Sequence, residues 1–76
     1  MRYEFHIHKD FGGIPAEDKE RVMEQLMDGP KTTKEITATT GMEWRRTRNA
    51  VFYLATIGVV EQVGRYHQAK VWRVKA

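Results

Sequence analysis

The sequence predicts an α+β domain in which three helices precede a β-hairpin, with an added strand at the N-terminus. Three observations carry that reading. Apolar residues recur at helical spacing through residues 15 to 58, in three stretches that each end near a glycine. From Val59 onward the pattern becomes extended, and residues 2 to 8 alternate with period two. A chain of 76 residues has room for one domain. It divides into a strand over 1–9, a three-helix unit over 15–58 and a hairpin over 59–75.

In Arg-Tyr-Glu-Phe-His-Ile-His, Tyr3, Phe5 and Ile7 share one face while Arg2, Glu4, His6 and His8 take the other, the pattern of a half-buried strand. Asp10-Phe11-Gly12-Gly13 breaks it. The first helix is expected from Pro15, with Glu17 and Asp18 complementing the positive end of its dipole. Its inward stripe is Val22, Met23, Leu26 and Met27, and Asp28-Gly29-Pro30 ends it. Thr32-Thr33-Lys34-Glu35 has the form of a capping box, starting a short second helix that carries Ile36 and Ala38 inward and stops at Gly41.

The third helix is expected from Glu43 to Ile57, with Gly58 as its cap. At about 100° per residue, Thr47, Ala50, Val51, Leu54 and Ile57 face the core. Arg45, Arg48, Asn49, Phe52, Tyr53 and Thr56 point away. Strands over 59–64 and 70–75 then flank a basic, aromatic tip at Arg65-Tyr66-His67-Gln68-Ala69. Val60, Trp72 and Val74 are expected on the core side, and Val63 is expected to pair with Val71 across the other.

So small a chain buries only about 60% of its unfolded surface, and a partner subunit or ligand is a natural supplement. Cysteine is absent, which excludes a disulfide framework and a thiolate zinc site. No apolar run approaches the roughly 20 residues that span a bilayer, and the first residues have no secretory apolar region. A soluble, cytoplasmic protein that does not enter the membrane is the expectation.

The formal charge is +3 and the pI about 9.5. Distribution matters more than the total. Residues 1–42 hold six Lys/Arg against eight Asp/Glu, a net −2, whereas residues 43–76 hold seven against two, a net +5. Such a chain turns its C-terminal half toward a polyanion. That half contains Glu-Trp-Arg-Arg-Thr-Arg-Asn, residues 43–49, in the opening turns of the third helix. The forks of Arg and Asn match guanine and adenine edges in a major groove, and Arg also suits phosphate. A solvated helix face bearing a few arginines is the bland alternative.

Two helices joined by the tight Thr40-Gly41-Met42 turn make a helix-turn-helix. With the hairpin added, the stretch from Pro15 to Val74 resembles the winged helix-turn-helix family of transcription regulators. The residues that carry the resemblance are Thr32-Thr33-Lys34-Glu35-Ile36, Thr40-Gly41-Met42, Leu54, Ile57-Gly58-Val59-Val60-Glu61 and Val71-Trp72-Arg73-Val74.

The resemblance implies double-stranded DNA as partner and no cofactor. It places Trp44, Arg45, Arg48 and Asn49 against base edges or flanking phosphates, and Arg46 on the backbone. Thr33 and Lys34 would meet a phosphate at the start of the second helix, where free amides favour anions. Arg65, Tyr66, His67 and Lys70 would lie on the backbone or in the minor groove. One departure stands out: the family commonly has a strand between its first two helices, and Gly29-Pro30-Lys31 leaves space for one or two extended residues.

A homodimer reading two half-sites is expected, formed through Tyr3, Phe5 and Ile7 or through Phe52. The rival is a winged-helix module that binds protein, with Trp44, Phe52 and Tyr53 forming one apolar patch. Trp44 itself has two readings, a stacking contact or a lid on the end of the core. His6 and His8 are expected as two exposed imidazoles rather than a metal site, since no third ligand lies nearby. Met23 and Met27 read as ordinary core, and His67 as either a spacer or a contact. An enzyme is not expected: serine and cysteine are absent, and no phosphate-cradling glycine loop occurs.

Overall fold

In the computed structural model, residues 14–75 are described. The expected N-terminal strand, with Tyr3, Phe5, Ile7, His6 and His8, lies outside the described residues. Helix α1 spans Ala16–Met27, strand β1 Lys31–Thr32, helix α2 Thr33–Thr40, helix α3 Trp44–Thr56, strand β2 Val60–Tyr66 and strand β3 Ala69–Val74. The sheet is antiparallel in the order β1-β3-β2. This is the α+β architecture expected of three helices and a hairpin, completed by the two-residue strand for which the 29–31 segment left space.

Pro15 occupies the N-cap of α1 in extended conformation, and its carbonyl accepts the Asp18 and Lys19 amides. Val22 and Leu26 are buried, Met23 packs partly against them, and Met27 is exposed, against the expectation of a core methionine pair. Met27 is the last helical residue, and the chain leaves the core one step later at Asp28.

The capping box forms as read. The Glu35 amide donates to Thr32 Oγ1 at 3.1 Å and the Thr32 amide to Glu35 Oε1 at 2.8 Å, satisfying donors that a helix start leaves open. Ile36 is fully buried, but Ala38 is exposed. Gly41 closes α2 with φ of 75°, a left-handed conformation that a side chain disfavours. Its amide reaches the Thr37 carbonyl at 2.9 Å. The abrupt stop turns the chain directly into α3.

Trp72 sits at the centre of the sheet, opposite Lys31 on one side and Gln62 on the other. With Val60 it closes the floor of a core built from Val22, Leu26, Ile36, Val51 and Leu54. Val74 pairs with Val60 and packs against the same cluster.

The hairpin departs from the expected register. Gln62 pairs with Trp72 but Gly64 with Val71, leaving Val63 as an extra residue in a β-bulge rather than the partner of Val71. The turn is also tighter than expected. Tyr66 pairs with Ala69, and His67 and Gln68 alone form the loop, at φ of 50° and 69°. Two consecutive left-handed residues are what a two-residue hairpin with matching twist requires.

Candidate nucleic-acid interface

α3 is anchored by a wide arc of buried side chains, Thr47, Ala50, Val51, Tyr53 and Leu54. The opposite face carries Arg45, Arg48, Asn49, Phe52 and Thr56, all exposed. The first turn holds arginines and no acidic residue. Cations there oppose the positive end of the helix dipole and cost local stability. By contrast, α1 and α2 open with acidic residues at the same place.

Two burial assignments on α3 are corrected. Tyr53 is 1% exposed, packed inside with the Lys19 ammonium 4.6 Å from its ring centre, so it contributes nothing to an outer apolar patch. Ile57 was expected inside but is exposed, because it is the C-cap residue beyond the last packed turn.

Arg46 is the third correction. Its Nε donates to Asp18 Oδ2 at 2.9 Å and one Nη to Oδ1 at 2.7 Å, a bidentate pair spanning α1 and α3. Asp18 is 1% exposed, so the carboxylate expected to serve only the α1 dipole is instead buried against this guanidinium. The hydrogen bond and charge of Asp18 raise the Arg46 pKa above its ordinary value. Arg46 therefore acts as a strut fixing the start of α3 on α1, with half of its side chain still exposed. Lysine cannot reproduce that fork. In Arg46→Lys, the urea unfolding midpoint is expected to fall while the salt dependence of any polyanion binding is unchanged. The opposite pattern, an altered salt slope with an unaltered midpoint, would return Arg46 to the contact surface.

The remaining basic residues divide in two. Arg21 pairs with Glu17, Lys31 with Asp28 and Arg73 with Glu61. Lys34, Arg45, Arg48, Arg65 and Lys70 have no carboxylate partner among the described residues, and neither does Lys75 after β3. The first five lie at the start of α2, on the outer face of α3 and on the hairpin.

The bulge contributes to this grouping. With Val63 looped out, Arg65 pairs directly with Lys70, two residues from Trp72 and hence on the same face of β3. Like charges directly opposite on a ladder repel, and an anion between them would relieve the repulsion. Tyr66, opposite Ala69, falls on the other face and stacks edge-on with His67 at 4.3 Å. Arg65 also donates to the Gln68 carbonyl at 3.4 Å.

Lys34, Arg48 and Lys70 rim a groove of about 600 Å³ whose lining includes Thr33, Trp44, Phe52 and Trp72. Thr33 does not stand free for a contact: its hydroxyl accepts the Trp72 Nε1–H at 3.2 Å, locking α2 to the sheet. Phe52 meets Trp72 edge to face at 6.3 Å. Arg48 and Lys70 lie 5.9 and 5.6 Å from the Phe52 ring centre, within cation–π range. Trp44 is 51% exposed, so it is not a lid on the core. Asn49 lies further round α3, beside a shallower cavity shared with Ile14 and Phe52.

Sequence reasoning missed the groove as a unit, and with it Gln68 and Ala69, which complete its wall. The glycine at position 64, inside an otherwise strand-like run, was the available signal for the bulge.

No helix among the described residues is long and apolar enough to cross a membrane. No family model matches the chain, and no curated protein matches it at a significant level. Among solved structures, it is similar to the homodimeric winged helix-turn-helix DNA-binding domain, fragment 1–100, of a possible ArsR-family transcriptional regulator from Mycobacterium bovis. The TM-score is 0.69 at 17% identity, over 92% of this chain and 64% of that one. It is also similar to the reduced form of the transcriptional regulator YodB from B. subtilis, with TM-score 0.68 at 24% identity, over 99% of this chain and 74% of that one. At these identities the likeness establishes the fold, which is winged helix-turn-helix.

Proposed function

We propose that the chain is a sequence-specific double-stranded DNA-binding protein, a transcription regulator that places α3 in the major groove and the β2–β3 wing on the backbone or minor groove. The observation that carries this reading is the partition of cations. Lys34, Arg45, Arg48, Arg65 and Lys70 on the α2–α3–wing surface have no carboxylate partner among the described residues, whereas Arg21, Lys31, Arg46 and Arg73 are each held by one.

In this reading Arg45, Arg48 and Asn49 meet base edges, and Lys34, Arg65 and Lys70 meet phosphates. Tyr66 and His67 contact the strand that passes the wing tip, and Thr33 presents its backbone amide at the helix start. The fold also supports the reading, since both structural neighbours are described as transcriptional regulators and one as a DNA-binding domain. That neighbour is homodimeric, and two copies reading two half-sites is the assembly we infer for this chain.

Duplex at low salt should bind, and log K should fall against log salt with a slope of about −3 for the three cations assigned to phosphates in each copy. Fluorescence anisotropy at several salt concentrations measures it. A slope near zero would remove the electrostatic mechanism and favour an acidic protein as the partner.

A further inference from the structure

Pairing a helix with a duplex requires donors, and the groove offers more than donors. Its wall holds two tryptophans and a phenylalanine, and its rim holds Lys34, Arg48 and Lys70 with no carboxylate among the lining residues. Base edges and phosphates read from outside leave such an aromatic recess unused. Exposed rings of this size are costly in water, yet Trp44 is 51% and Phe52 43% exposed.

We propose that the groove between α3 and the wing captures one unpaired nucleotide of the bound DNA. Trp44 serves as the stacking platform, Phe52 and Trp72 as the wall, and Lys34 and Lys70 on the rim hold the phosphates on either side of the captured base. The inference rests on the DNA-binding reading and names a structural preference within it.

Three features favour this occupant. The recess has the volume of a small-ligand site, enough for a planar ring. Its geometry is fixed before binding, because Trp72 is tied to Thr33 and braced by Phe52. Aromatic faces beside unpaired cations are the combination that single-stranded nucleic acid uses, the bases stacking and the backbone following the charge. Arg48 and Lys70 lie over Phe52 rather than in ion pairs. Lys70 can therefore swing to a phosphate without breaking a salt bridge.

The test compares three labelled duplexes of one sequence by anisotropy: fully paired, carrying a single bulged thymidine, and carrying an abasic residue at the bulge. The abasic bulge keeps the kink and the extra phosphate but removes the ring. Stacking of one base predicts that the thymidine bulge binds about tenfold tighter than the abasic bulge. In Trp44→Ala the ratio should shrink to within about twofold, and in Trp44→Phe it should largely survive. Circular dichroism confirms that both variants fold, as an exposed position allows.

Equal affinity for the two bulges, or a ratio that persists in Trp44→Ala, overturns the inference. Salt-dependent binding of the fully paired duplex reads the proposed function separately. If that binding holds while the bulges tie, only the captured nucleotide is lost. If no duplex binds with salt dependence, the broader reading fails.

Discussion

Trp72→Ala should remove most of the domain's stability at ambient temperature. The side chain is buried at the centre of the three-stranded sheet, braces Phe52 and donates its Nε1–H to Thr33. Removing a buried tryptophan costs about 3 to 5 kcal/mol. A domain this small sits toward the low end of the roughly 5 to 15 kcal/mol typical of folded proteins. Trp72→Phe separates the two contributions: it retains most of the packing and loses the hydrogen bond, for which about 1 kcal/mol is expected. Urea unfolding followed by circular dichroism measures both. A Trp72→Ala midpoint close to that of the parent chain would mean that β3 does not join the helices to the wing in the way described.

Arg48→Ala should flatten sequence discrimination while leaving affinity for arbitrary duplex only modestly reduced. Arg48 stands on the exposed face of α3 with no carboxylate partner, so its removal opens no cavity and orphans no buried group. One bidentate contact to a base is worth about 1 to 3 kcal/mol of preference for the right sequence over the wrong one. Against a site selected from a random duplex pool, Arg48→Ala should lose that difference. Lys34→Ala, at the start of α2, should instead weaken selected and scrambled duplexes alike and reduce the salt slope by about one. If the two substitutions had the same profile, the assignment of base reading to α3 and backbone holding to α2 would be wrong.

The elements whose signals are local were legible in the sequence. The Thr32/Glu35 capping box, the left-handed Gly41 and the change of pattern at Val59 each depend on residues within four positions of one another, and each appears as read. The readings of Arg46 and Tyr53 on α3 depart from the structure for a single cause. The inward arc was drawn only as wide as one neighbour requires, yet α3 packs on α1 as well as on α2 and the sheet. Arg46 and Tyr53, seven residues or about two turns apart, both lie on the side that meets α1. There Arg46 finds Asp18 and Tyr53 finds Lys19. Periodicity gives the direction of a buried stripe, but its width depends on how many elements press against the helix, which is a tertiary quantity.

The wing shows a second kind of illegibility. Two-residue turns of this geometry are usually announced by asparagine or glycine, and His67-Gln68 carries neither. The candidate contacts were legible as residue types but not as partners. Charge counting points to the C-terminal half and passes over Lys34; only the fold reveals which cations a carboxylate already holds.

The looped-out valine has an implication for how this hairpin can change. Side chains on a ribbon obey parity, and the odd residue at position 63 resets the count for everything distal to it. Were Val63 instead paired with Val71, Gly64 would meet Lys70 and Arg65 would meet Ala69, rolling Arg65 to the reverse side of the ribbon with the composition untouched. Inserting one residue on each arm between the bulge and the Arg65–Lys70 pair would carry that pair to the other side, whereas two on each would preserve it. The electrostatic character of the wing is thus set by arithmetic along the backbone as much as by which amino acids it contains.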